Sequence, residues 1–156
     1  MAGDFLISGS DPLATTADLS TEIDRMGDMR GGILRKALAL VRPRVRSPRE
    51  TTLRLRLLRA GLPEPEINWI LRDHAGRHVA ELDLAYPAWQ VGIEYDGRVH
   101  ATDFAQFEKD ADRWDRIRAQ GWQHVRVLNH HLRGSGDPAV RKVRQALMLA
   151  GWRPGR

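Results

Sequence analysis

Apolar positions recur along this chain with two periods. Short, mostly alternating stretches run over Asn68–Arg72, Val79–Ala85, from Trp89 or Gln90 to Tyr95, and over Trp122–Leu128, and predict four strands. The period lengthens to three and four over Met29–Val41, through Ile33, Leu34, Ala37, Leu38, Leu40 and Val41. It does so again from Asp103 to about Gln120, through Phe104, Phe107, Ala111, Trp114 and Ile117, and over Pro138–Ala150, through Val140, Val143, Leu147 and Ala150. Those three stretches predict helices.

Local signals set the boundaries. Ser47, Pro48 and Glu50 form a strong helix start, with a serine cap, proline at the first helical position and glutamate three residues beyond the cap. Leu53, Leu57 and Leu58 supply the apolar stripe of that helix and Gly61 stops it. Asp73–Arg77 is a turn between the first two strands, Asp96-Gly97 ends the third, and Gly121 ends the helix before the fourth. Ser20–Met26 predicts a short helix capped by Ser20; residues 1–19, with Gly3, Gly9 and Pro12, predict a loosely packed leader. From Arg46 the order is helix, three strands, helix, strand, helix. An α/β fold satisfies it: a mixed four-stranded sheet flanked by helices, whose crossover helix makes the last strand parallel to an earlier one. The expected division is 1–45 as linker and helical extension and 46–152 as the folded domain.

A chain of 156 residues is long enough to bury a core. It has no cysteine, which excludes disulfides and cysteine-ligated zinc. No apolar run approaches the length of a membrane span, and the start MAGDFLISGSD lacks the basic and apolar regions of a signal peptide, so the expectation is a soluble cytoplasmic protein. The net charge of +5 is carried by 22 arginines against 3 lysines. Such a surplus suits a polyanion partner, although a coding bias toward arginine would produce it too.

The stretch Glu81–His100, ELDLAYPAWQVGIEYDGRVH, carries the candidate chemistry. Strict alternation puts Leu82 and Leu84 on one side of their strand and Glu81, Asp83 and Ala85 on the other; in the next strand Val91, Ile93 and Tyr95 oppose Gly92, Glu94 and Asp96. Two adjacent strands then present Asp83, Glu94 and Asp96 together. Like charges that close repel, so a positive partner is expected, and carboxylates without cysteine suit Mg2+ or Mn2+. The other reading is a half-exposed sheet face with Asp96-Gly97 as a plain turn. Glu50 either completes its capping box or projects toward the carboxylates. His100 is either a proton carrier near neutral pH or a loop histidine. Lys109, Arg113 and Arg116 share one sector of the crossover helix, where they meet phosphate or pair with Glu108 and Asp112. Arg126 becomes a partner for the carboxylates, or for substrate, if it faces their side. Trp89, Trp114 and Trp122 read as core or rim aromatics.

Taken together, Glu50, Asp83, Glu94-Tyr95-Asp96-Gly97, His100 and Gln120-Gly121-Trp122 before a strand resemble the small bacterial endonuclease-like domains related to the very-short-patch mismatch repair enzymes, within the PD-(D/E)XK nuclease superfamily. The resemblance covers about Arg46 to Leu132. It implies a restriction-endonuclease-like sheet with magnesium held by Glu50, Asp83 and Glu94. Asp96 stands where that superfamily usually has lysine; the very-short-patch-like branch also lacks the lysine and uses a nearby histidine, which points to His100. The forward segment GDFLISGSDPLATTADL resembles the linker before this domain in longer actinobacterial proteins of the abortive-infection antitoxin-like type, where a winged-helix region comes first.

The implied activity is a metal-dependent DNA endonuclease, using Mg2+ or Mn2+, that hydrolyses phosphodiesters in duplex or nicked DNA and leaves a five-prime phosphate. Lys109, Arg113, Arg116 and Arg126 would contact the DNA. Cutting both strands would call for a homodimer, and a targeting domain could lie elsewhere. The alternative is a noncatalytic DNA-binding, regulatory or assembly domain on the same fold.

Overall fold

The computed structural model describes residues 2–27, 29–97, 104–134 and 137–155. They belong to two units, Met1–Leu55 and Arg56–Arg156, and the division falls inside a helix.

In the first unit, α1 (Ala2–Leu6) occupies part of the expected leader. Asp4 is the cause: its Oδ1 accepts the Arg42 N–H at 2.8 Å, its Oδ2 accepts the Thr51 hydroxyl at 2.7 Å, and Arg54 Nη2 lies 3.6 Å away. Both side chains of that ion pair are buried. Helix α2 (Thr16–Met26) starts four residues before the predicted Ser20. Thr15 and Asp18 form a reciprocal capping box, each side chain taking the other's backbone N–H, and the hydrogen bonds from Thr15 hold the Asp18 carboxyl below its ordinary value. Helix α3 spans Met29–Leu38. Helix α4 (Pro48–Arg59) starts where the sequence predicts, with Ser47 Oγ accepting the Glu50 N–H at 3.2 Å.

The second unit contains the sheet: β1 (Glu66–Arg72), β2 (His78–Tyr86), β3 (Val91–Asp96) and β4 (Gln123–Leu128), in spatial order β1-β2-β3-β4. β2 pairs antiparallel with both β1 and β3; β4 lies parallel to β3 after the crossover helix α5 (Phe104–Ala119). Helix α6 (Asp137–Leu149) packs against β3 and β4, with Ala139, Val140, Val143, Ala146 and Leu147 buried. The predicted α/β order and the parallel last strand are both present. Among the described residues no helix is long and apolar enough to cross a membrane.

The β1–β2 hairpin closes at Asp73, whose Oδ1 accepts the N–H groups of Ala75 and Arg77, each at 2.9 Å, while Oδ2 accepts the Arg77 guanidinium at 2.7 Å. Farther along the two strands their pairing is interrupted. Ile67 pairs with Leu84 and Trp69 with Leu82; between them Asn68 has φ +49°. A left-handed residue there breaks the pleat, and the consequence for β2 contradicts strict alternation. Leu82 and Ala85, expected on opposite sides, lie in one buried cluster with Leu71, Ala80, Ile117 and Trp122. Trp69 stacks on Trp122 beside that cluster, ring centres 6.4 Å apart. Leu82 also explains Gly92. A Cβ at residue 92 would come within 2.6 Å of Leu82 Cδ1, so any larger residue there would have to displace the Leu82 side chain.

Candidate functional site

The pairing of β2 with β3 runs from Tyr86↔Val91 through Ala85↔Gly92 to Leu84↔Ile93. Beyond it Asp83 Oδ2 accepts the Tyr95 N–H at 2.8 Å, so a side chain holds the strands where the backbone ladder stops. In β3, Glu94 and Asp96 share one face by the alternation of the strand. The parallel register sets Arg126 beside Glu94 and His124 beside Gly92, which brings two basic side chains of β4 to that face.

Glu94 is buried, 8% exposed, and two side chains contact its carboxylate. His124 Nε2 lies 3.0 Å from Oε2; against a carboxylate this ring nitrogen is the donor. Arg113, from α5, brings Nη2 to 2.6 Å from Oε1. That guanidinium directs a hydrogen bond of 2.6 Å to the Glu81 carbonyl, and Oε1 is left with charge contact but no aligned hydrogen bond. Asp96 pairs with Arg126, whose Nε donates to Oδ2 at 3.1 Å and whose Nη2 makes a second, shorter contact. Trp114 binds this layer together: its ring stacks on His124 at 5.6 Å, and the Arg126 guanidinium carbon sits 4.7 Å from its centre.

These residues line a cleft of about 350 Å³ with Asp83, Glu94, Asp96 and Asp110 on its walls, beside Arg113, Trp114 and Arg126. Among the described residues, no three His, Asp or Glu side chains are gathered closely enough to enclose a metal ion by themselves.

Two Mycobacterium tuberculosis proteins are similar to this chain, Uncharacterized protein MT2308 of strain CDC 1551 / Oshkosh and Uncharacterized protein Rv2248 of strain ATCC 25618 / H37Rv. Each is 28% identical over 94 residues, which is 60% of this chain and 34% of the relative. The match therefore spans about a third of the length of those curated relatives. No protein-family model matches the chain, and no solved structure matches it.

Of the residues singled out from sequence, Asp83, Glu94, Asp96, Arg113 and Arg126 come together in the cleft. Lys109 and Arg116 are exposed on α5, outside its lining. Glu50 belongs to the Met1–Leu55 unit, where Oε2 accepts the Arg46 N–H at 3.0 Å; the carboxylate works at the helix start, one residue upstream of the expected capping-box partner. His100 lies outside the described residues. His124 is not among the residues singled out from sequence. Its signal was present: it stands two residues before Arg126 on a strand, so whatever face Arg126 takes, His124 takes too.

Proposed function

We propose that the Arg56–Arg156 unit is a metal-dependent DNA endonuclease domain with a restriction-endonuclease-like arrangement, and that the Asp83–Glu94 cleft is where the phosphodiester is hydrolysed. The observation that carries this is Glu94 Oε1, a buried carboxylate oxygen without an aligned hydrogen bond in a cleft that also holds Asp83 and Asp96. Buried acceptors ordinarily find a donor. One held only by a charge contact from Arg113, beside two more carboxylates, suits a hard cation.

The donor set fits Mg2+ or Mn2+. Magnesium is commonly held by one or two carboxylates, with water and substrate phosphate oxygens completing the shell, so the lack of a three-residue protein cage among the described residues is compatible with it. Asp83 and Glu94 would be the protein ligands. When bound, the ion would neutralise a nonbridging phosphate oxygen and raise the acidity of a water. Arg113 neutralises Glu94 and, with an ion bound, would turn to a phosphate oxygen instead. Arg126 brings to Asp96 the positive charge that lysine would bring at that position. Trp114 and the backbone N–H of Tyr95 limit the freedom of the cluster, which lowers the entropy cost of a productive geometry. In this reading His100 is the proton carrier.

The ion pairs themselves favour a second reading, a noncatalytic DNA-binding or assembly domain: Glu94 and Asp96 already have cationic partners. Plasmid nicking separates the two. Relaxation of supercoiled DNA by the full chain with Mg2+ or Mn2+, lost in Asp83→Ala, supports the endonuclease. Equal relaxation by both proteins rejects the site, and no relaxation together with DNA binding in chelator supports the second reading.

A further inference from the structure

The Arg56–Arg156 unit carries a second feature apart from the cleft. The last turn of α4 and the first half of α6 border a groove of about 600 Å³ lined by Arg56, Arg59, Arg141 and Arg144, with Asp137 as the one acidic residue among the described residues of its lining. The four arginines form two pairs at i,i+3, one on each helix, so each pair shares a helix side and the two sides meet across the groove.

Two of the four are fixed by main-chain acceptors. Arg56 donates from Nη1 to the Leu132 carbonyl at 2.7 Å and from Nη2 to the Gly134 carbonyl at 2.9 Å; Arg144 donates to the Ala60 carbonyl at 2.8 Å. Carbonyls orient these guanidiniums without cancelling their charge. Arg59 and Arg141 are exposed and make no hydrogen bond or ion pair with the described residues. Four guanidiniums against one carboxylate leave a local surplus of three positive charges, and gathering them is unfavourable until an anion joins.

We infer that this groove is a binding site for the phosphate backbone of nucleic acid, contacted by Arg59 and Arg141 and oriented by Arg56 and Arg144. Arginine forks match phosphate oxygens in pairs. Two pairs on separate helices suit a row of charges rather than one small ion: the i,i+3 rise of about 4.5 Å is similar in scale to the roughly 3.4 Å of axis per phosphate along a strand. The chain's overall charge of +5 has the sign that brings such a partner in. The inference shares with the endonuclease reading only its choice of nucleic acid as partner, and its test is made without divalent ions, so the absence of cleavage would leave it standing.

The experiment is fluorescence anisotropy of a labelled duplex oligonucleotide with the full chain in EDTA, over a series of salt concentrations. Arg59→Gln/Arg141→Gln is compared with the parent and with Arg72→Gln, whose hairpin position lies outside the groove. Because Arg59 and Arg141 hold no partner among the described residues, the double variant should keep the parental melting temperature. The expected result is a loss of affinity of about tenfold or more in the double variant and a shallower salt dependence, by about one to two phosphate contacts. Arg72→Gln should bind like the parent. Equal affinity and equal salt slope in parent and double variant would overturn the proposal. So would tighter groove-dependent binding of polyglutamate than of DNA, which would identify an acidic polypeptide as the partner, or groove-dependent binding of inorganic phosphate without any effect on DNA.

Discussion

Arg113 Nη2 stands 2.6 Å from Glu94 Oε1, yet its aligned hydrogen bond, also 2.6 Å, goes to the Glu81 carbonyl. One guanidinium thereby fastens α5 to both β2 and β3. It supplies charge to a buried carboxylate while leaving one oxygen of that carboxylate without a directed donor. In the proposed reading, that oxygen is where the cation is received.

Removing that guanidinium should therefore cost stability and be partly repaired by metal. Arg113→Met leaves Glu94 buried with His124 as its remaining partner, and because the arginine is about one-third exposed the expected loss is modest, about 1–3 kcal/mol. Urea denaturation measures it. Millimolar Mn2+ should restore more stability to the variant than it adds to the parent, since a cation then replaces the missing charge.

The first unit depends on a buried charge of its own. Asp4→Ala removes the carboxylate facing Arg54, where both side chains are almost wholly buried, and also the acceptor for Thr51 and Arg42. Losing one partner of such a pair costs about 3–5 kcal/mol. Amide hydrogen exchange should show protection lost across Met1–Leu55, with α1 the first element affected.

Tyr86 should make stability fall in alkali. Burial holds its phenol well above the ordinary value of 10.0, while its hydroxyl donates to the Pro63 carbonyl at 3.0 Å. Above about pH 10 the unfolded chain releases this proton and the folded chain retains it, so the unfolded state binds fewer protons and stability declines as pH rises. Tyr86→Phe should lose about 1 kcal/mol at neutral pH with the hydrogen bond, and should show a weaker decline between pH 9 and 11 in urea titrations. Parallel curves for the two proteins would exclude Tyr86 as the source.

The order of elements from α4 to α6 was legible because its signals are local: Ser47 and Pro48 at a helix start, Gly61 and Gly121 at helix ends, a turn at Asp73. The sides of β2 were not. Alternation assumes an unbroken pleat, and Asn68 on the neighbouring strand, at φ +49°, breaks it; nothing in β2 itself announces that Leu82 and Ala85 will share a core. Asp83 and Glu94 still reach a common cleft, by way of the Tyr95 N–H rather than a continuous ladder. Thr15 and Asp18 did carry a legible cap, overlooked in favour of Ser20. The roles of Arg113 and Asp4 were beyond local reading, because each depends on a partner far along the chain: Glu94 lies 19 residues before Arg113, and Arg54 lies 50 residues after Asp4.

The most direct test of the cleft is Mn2+ binding followed by electron paramagnetic resonance in the full chain, beside Asp83→Asn and Glu94→Gln variants shown by their unfolding transitions to be folded. The proposed site predicts loss of the free-ion signal at millimolar or lower Mn2+ in the parent and a large weakening in both variants. Parent and variants binding Mn2+ with the same affinity, or none of them binding it, would contradict it.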